Sequence, residues 1–261
     1  MTYLIPILRR KGYRVSGYGI SGDTKELQIA KEQAYGASSA EEAVGNAKAV
    51  VGGIPYREEE SAYVSKLEKG QIYFGGNIPQ QVQNELEMKG IIVVDLLKIE
   101  SVRVENSIAT AEGVIKELLE RNEELLTSQH FLVFGYGRCG KLIVDRILGM
   151  RGKVTVISRN PVEKSWLKAA GIEIVDLQDW RAGAIAYEKN MVLVNTMPID
   201  HILPSGWQEH SVIEEPWIDV AGTLQEEGFV YVKGLPGRFR AKAMANCYGE
   251  EIHRYYTDRT E

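Results

Sequence analysis

Residues 131–140, FLVFGYGRCG, constrain the fold more than any other part of the chain. An apolar run, Phe131 to Phe134, enters Gly135, Gly137 and Gly140, and the helix-like KLIVDRIL follows at once. G-x-G-x-x-G between a strand and a helix has a reason at each glycine. The first permits a tight turn, the second lets backbone approach a pyrophosphate, and the third lets helix pack closely on strand. The helix N-terminus then offers unpaired N–H groups to the phosphates. A second strand in step with the first, KVTVI at 153–157 after Gly152, strengthens the reading. The segment is expected to be a dinucleotide-binding βαβ unit, with Gly135, Gly137, Arg138, Cys139 and Gly140 against the cofactor.

The second strand ends in Ser158-Arg159-Asn160. An acidic residue at this point accepts hydrogen bonds from the ribose of NAD, whereas an arginine suits a 2′-phosphate. No carboxylate stands at the position to repel that phosphate, so the sequence predicts NADP. Further strands are expected at 172–177, 191–198, 216–222 and 229–237, with a short helix at 162–170 and a short helix or loop at 179–188. Strands alternating with helices argue for a parallel sheet, whose ligands sit beyond the carboxyl ends of the strands. Asn195, Thr196, Pro198 and Asp219 fall at such ends and join the expected cofactor site.

The first half repeats the rhythm more faintly. Strands are expected at 13–20, 47–55, 70–76 and 91–97, with a helix at 79–90. The Gly52-Gly53 and Gly75-Gly76 pairs follow two of these strands, where either a substrate loop or an ordinary turn would place them. TYLIPILRRK at 2–11 reads as a helix, although a doubly wound domain normally opens on a strand; either the first strand is missing or this edge of the domain is built differently. Val114, Ile115, Leu118, Leu119, Leu125 and Leu126 at helical spacing mark a helix over 111–126 with Thr110 as its N-cap, and Ala241, Met244, Ala245, Tyr248, Ile252 and Tyr255 mark another over 240–256. The expected fold class is α/β: two Rossmann-like doubly wound parallel-sheet domains linked by long helices. The expected parts are 1–108, closed by a helix at 240–257, an interdomain helix at 109–127, and a cofactor domain at 128–238. A small-molecule cleft is expected between the domains.

Bulk properties exclude some classes. A net charge of −5 argues against a broad nucleic-acid surface. No run approaches the ~18 apolar residues of a membrane span. Cys139 and Cys247 are too few for a disulfide framework, so a reducing cytoplasm is the simplest setting. The four histidines, His130, His201, His210 and His253, form no recognisable dyad and are expected in surface or structural roles.

Four segments in a fixed order carry a family resemblance. They are NSIATAEG at 106–113, the glycine loop with Arg138, VNTMP at 194–198 and GLPGRFRAKAMAN at 234–246. With these segments the chain resembles the A-type component of dipicolinate synthase. The resemblance implies an NADP-dependent oxidation of a hydroxy-tetrahydrodipicolinate, a cyclic dicarboxylate, to dipicolinate during sporulation. It also implies a partner in the flavoprotein-like B-type component of that enzyme and a cytoplasmic location in the mother cell; the paired doubly wound domains, with an uncovered edge, are separately expected to form a homo-oligomer such as a dimer. Lys242 matches the family lysine and is the expected catalytic residue. Asn106, Ser107, Thr110 and Glu112 match its substrate segment, where a helix start would hold a carboxylate, and Arg238 would add charge. Two departures stand out: 219–229 is short and lacks the family arginine, and Ala241 replaces a proline. A non-catalytic NADP-binding or regulatory subunit, or another 2-hydroxyacid-dehydrogenase-like oxidoreductase, is the alternative.

Overall fold

The computed structural model describes residues 2–18, 24–45, 47–207 and 217–258. In chain order the elements begin with α1 (Leu4–Arg10), β1 (Ser16–Gly17), α2 (Lys25–Gln33), β2 (Tyr35–Gly36), α3 (Ala40–Gly45) and β3 (Ala49–Val51). There follow α4 (Ser61–Val64), β4 (Ile72–Gly75), α5 (Gln80–Met88), β5 (Ile92–Asp95) and the long α6 (Glu100–Arg121). Then come β6 (His130–Phe134), α7 (Arg138–Gly149), β7 (Lys153–Ser158), α8 (Pro161–Ala169), β8 (Glu173–Asp176) and α9 (Leu177–Arg181). The chain closes with β9 (Met191–Asn195), β10 (Trp217–Asp219), β11 (Phe229–Tyr231), α10 (Leu235–Phe239) and α11 (Ala241–Thr257). No described helix is long and apolar enough to cross a membrane.

The chain forms two compact units, Met1–Glu105 with Arg240–Glu261, and Asn106–Phe239. All the described strand pairs are parallel, and the fold is α/β with two Rossmann-like units. In the second unit the strand order is β11-β10-β9-β6-β7-β8. Counting from β6, that is the doubly wound order, with its reversal between β6 and β9. Strand alternation builds the two faces. Phe131 and Val133 of β6 face a core with Ile143 and Ile147 of α7 and Val114 and Leu118 of α6. Leu132 and Phe134 face the opposite core, with Trp180, Trp207 and Trp217. Both faces are covered, so every residue of β6 is buried, and the strand reads as a continuous apolar run.

The first unit has shorter strands. Its sheets are β1-β2 and β3-β4-β5, not one continuous sheet. Within the described residues no strand joins β1 to β3. The expected strand at 13–20 shrinks to Ser16–Gly17, and its last two residues lie outside the described chain. Leu4, Ile7 and Leu8 of α1 pack with Phe74, Leu96, Ala245 and Ile252, so α11 completes this unit's core. Gly249 allows the approach, since a Cβ there would stand 2.6 Å from Ile7.

Two further elements differ from expectation. The helix expected from 111 begins at Glu100, because the polar residues at 106–110 do not interrupt it. The strand expected through 237 ends at Tyr231, and α10 follows instead with Pro236 in its first turn, where a missing N–H costs nothing.

Candidate functional site

Parallel register lines up the strand ends of the second unit. Phe134 is level with Ile157 and Asn195, Ser158 with Asp176, and Asn195 with Asp219. The loops leaving these strands therefore emerge side by side at the carboxyl edge of the sheet. Gly135 adopts φ +91°, a region that disfavours side chains, and a Cβ there would lie 2.8 Å from both Thr196 Oγ1 and Met197 Cγ. At Gly140 a Cβ would overlap the Gly135 carbonyl oxygen, so α7 approaches the turn only because this residue is glycine. Gly137 caps α7 with φ −71°, and a Cβ there would meet nothing within 4 Å. Neither conformation nor packing requires glycine at 137. An open surface above a helix N-terminus fits the close approach of a pyrophosphate. Arg138 opens α7 beside it and is exposed.

The opposite wall is built by buried hydrogen bonds. Thr196 donates from both its backbone N–H (2.9 Å) and Oγ1 (2.7 Å) to the Phe134 carbonyl, closing the gap between β6 and β9. Asn195 is fully buried; its Nδ2 donates to Asp219 Oδ1 (2.9 Å) and to the Met197 carbonyl (3.0 Å), and its Oδ1 accepts from the Met197 N–H (2.9 Å). Asp219 also accepts from the Ala221 N–H at 3.0 Å. Both side chains are thus engaged in shaping the loops after β9 and β10. Pro198 lies on the first of these loops.

The end of β7 holds a residue that sequence reading did not bring in. Ser158 is buried, and its Oγ donates to Glu163 Oε2 at 2.6 Å. The same oxygen accepts the Tyr136 N–H of the glycine loop at 3.2 Å. Asn160 caps α8 by accepting from the Val162 N–H (2.9 Å), and this turn carries Glu163 back over the strand end. Residues 158–160 carry no carboxylate themselves, but one from α8 reaches the end of β7. Arg159 itself is exposed and makes no ion pair among the described residues. The sequence signal was faint, since Asn-Pro-x-Glu also reads as a simple helix start.

Residues 106–112 do not form a helix start. They lie within α6, where backbone N–H groups are already paired, so no carboxylate-binding terminus exists there. Asn106 is half-buried, and its carbonyl accepts from Thr110 Oγ1 at 2.8 Å. Buried Ser107 hydrogen-bonds the Cys139 thiol, while burial pushes that thiol's pKa up. Glu112 pairs with Arg146 at 3.8 Å. Arg238 pairs with the buried Glu117 carboxylate at 3.0 Å, alongside Arg121 at 2.8 Å.

In the first unit, the loops after β3 and β4 are held by two carboxylates. Glu60 is buried and accepts from the Gly53 N–H (2.7 Å), the Arg57 N–H (3.0 Å), Tyr73 Oη (2.9 Å) and Tyr63 Oη. A Cβ on Gly53 would overlap Glu60 Oε1, so Gly52-Gly53 clasps this side chain. Asp95 accepts from the N–H groups of Asn77 (3.0 Å), Ile78 (3.1 Å) and Leu97 (3.1 Å) and closes the turn after Gly75-Gly76. Lys242 also belongs to the first unit, exposed in the first turn of α11.

The histidines have separate structural settings. His130 is buried at the start of β6, with Nε2 2.8 Å from Thr155 Oγ1, and burial lowers its pKa. His253 Nδ1 lies 2.9 Å from Tyr13 Oη, and His201 Nδ1 lies 3.9 Å from Glu226. His210 lies outside the described residues.

Neither a family sequence model nor a curated protein sequence matches this chain. Solved structures do. The A-type component of dipicolinate synthase from Bacillus halodurans superposes with a TM-score of 0.74 at 16% identity, over 97% of this chain and 92% of that one. The corresponding component of dipicolinate synthase from Bacillus subtilis gives 0.72 at 14% identity, over 98% and 92%. An L-alanine dehydrogenase gives 0.65 at 14% identity, over 98% and 85%. The whole chain thus shares the fold of these proteins.

Proposed function

We propose that the chain is a dehydrogenase-like protein of the dipicolinate synthase A type, using a nicotinamide dinucleotide to oxidise a small cyclic dicarboxylate. The observation that carries this is the glycine loop, where Gly135 and Gly140 are fixed by the fold while Gly137 is left open above a helix start. The fold shared with the two dipicolinate synthase structures over nearly the full chain supports the substrate class. In this reading Gly135, Gly137 and the start of α7 hold the pyrophosphate, the Thr196 loop borders the nicotinamide half, and the dinucleotide supplies a hydride acceptor. Lys242 is the residue we assign to bind a carboxylate or take the departing proton. The flavoprotein-like B-type component is the proposed partner, and the mother-cell cytoplasm of a spore-forming bacterium the proposed place of action.

A second reading, a dinucleotide-binding regulatory protein without turnover, draws on one specific feature. Arg238, a cation of the proposed substrate set, is paired with Glu117, and the loop at 219–229 supplies no arginine in its place. Mixing the chain with the flavoprotein-like partner, the dinucleotide and hydroxy-tetrahydrodipicolinate separates the two. Ultraviolet absorbance of dipicolinate, lost in Lys242→Ala, is the expected outcome. No product from an assembled, cofactor-loaded pair would overturn dipicolinate turnover and favour the regulatory reading.

A further inference from the structure

We propose that Glu163 sets the ribose selectivity of the glycine loop, so that this chain takes NAD(H) in preference to NADP(H). The inference rests on the reading of the second unit as a dinucleotide site. In such units the adenosine ribose lies between the glycine loop and the end of the second strand. Glu163 Oε2 bridges those two places, accepting the Tyr136 N–H of the loop at 3.2 Å and the Ser158 hydroxyl at the end of β7 at 2.6 Å. A carboxylate is thereby anchored at the ribose position, although it is carried by α8 rather than by the strand.

Three features make it a selectivity element. First, Oε1 has no hydrogen-bond partner among the described residues, and a ribose hydroxyl is a donor that would satisfy it. Second, no cation among the described residues neutralises the carboxylate. The adjacent Lys164 is paired with Asp176, and Arg159 is exposed and makes no ion pair among the described residues. A 2′-phosphate placed there would meet an uncompensated negative charge, while a 2′-hydroxyl would donate to it. Third, Ser158 is not free to receive a phosphate, because its hydroxyl proton is committed to Glu163 and its oxygen accepts the Asn160 N–H at 3.1 Å. The cation that suggested NADP, Arg159, remains available to stack its guanidinium on a base, a contact both dinucleotides share.

Direct binding tests this without any turnover. NADH and NADPH are titrated into the full chain, with quenching of tryptophan fluorescence and calorimetry as readouts. NADH is expected to bind at least about tenfold more tightly than NADPH, a difference of about 1.4 kcal/mol. Glu163→Gln keeps an oxygen to accept the Tyr136 and Ser158 bonds but removes the charge; it is expected to tighten NADPH by about tenfold and to change NADH much less. Arg159→Ala, which leaves Glu163 untouched, is expected to affect the two nucleotides alike. NADPH binding as tightly as NADH, or an Arg159→Ala variant that loses NADPH alone, would overturn the proposal while leaving the dinucleotide site intact. Binding of neither nucleotide would overturn the dinucleotide reading, and this inference with it.

Discussion

Gly137 and Gly140 sit three residues apart, yet the physical reasons for their having no side chain differ. A methyl at 140 would enter the Gly135 carbonyl, whereas a methyl at 137 meets open space. Gly140→Ala should therefore lower stability by about 1–3 kcal/mol through overpacking. Gly137→Ala should cost no more than about 1 kcal/mol, through a poorer N-cap, and still weaken dinucleotide binding more than about tenfold. Urea unfolding and nucleotide titration on both variants check the pair; full binding by Gly137→Ala would remove the glycine's ligand role. The Asn195–Asp219 contact gives a second residue-scale test. Asn195→Ala leaves Asp219 short of a buried donor and should cost about 1–3 kcal/mol. Asn195→Asp sets two carboxylates in contact and should cost more, read from the urea midpoint, with equal losses arguing against a close Asn195–Asp219 contact. The glycines were legible because their spacing is local and each does one geometric job. Glu163 was not, since its reach depends on a capped turn that folds α8 back across β7. Glu60 was hidden in Glu58-Glu59-Glu60, where nothing in the sequence separates the buried carboxylate from its solvated neighbours.

Among the elements, α6 shows how polar residues mislead when read one at a time. Ser107 and Thr110 suit an N-cap, but each finds another role inside a continuous helix, Thr110 back-bonded to the Asn106 carbonyl and Ser107 in contact with Cys139. Gly113 within the same helix admits Leu235, whose Cβ a methyl there would meet at 2.8 Å. The start at Glu100 lay beyond sequence reading because Val102, Val104 and Glu105 neither break a helix nor demand one. Thr110→Val is the discriminating variant. As an N-cap the hydroxyl would contribute about 1 kcal/mol, whereas a back-bonded hydroxyl on an already paired carbonyl contributes less than about 0.5 kcal/mol. Thermal unfolding should show the smaller change, and a loss near the larger figure would restore the cap. The strands divide along similar lines. In the second unit β6, β7, β9 and β10, almost wholly buried, were plain as apolar runs, whereas in the first unit β1 and β2 are two residues each, carry glycine and are not buried.

For the molecule as a whole, two solution properties follow from where buried groups are placed. His130 has a folded pKa lowered by burial from an unfolded value of about 6.5. Between those values the unfolded chain binds more protons, so stability rises with pH through the window and is lost as pH falls through it. The unfolding midpoint should drop on acidification from about pH 7 to 5, and His130→Asn should flatten part of that slope. An unchanged slope would exclude this histidine.

The second property is a reporter that the sequence places in one unit. All four tryptophans, Trp166, Trp180, Trp207 and Trp217, fall within Asn106–Phe239. Trp180 packs edge-on against Phe134 of β6, at 5.4 Å between centroids, and against Trp207 at 4.8 Å. Tryptophan emission therefore follows the unit that carries the glycine loop. A ligand that binds only the folded form raises stability by an amount fixed by its concentration relative to its dissociation constant, about 2.7 kcal/mol at a hundredfold excess. Denaturant titration followed by tryptophan emission should shift by about that much when NADH is added at such an excess. A transition that stays in place under a large excess of NADH and of NADPH alike would mean that neither nucleotide binds the folded second unit, and would remove the basis for assigning the strand ends around Gly135 to a dinucleotide.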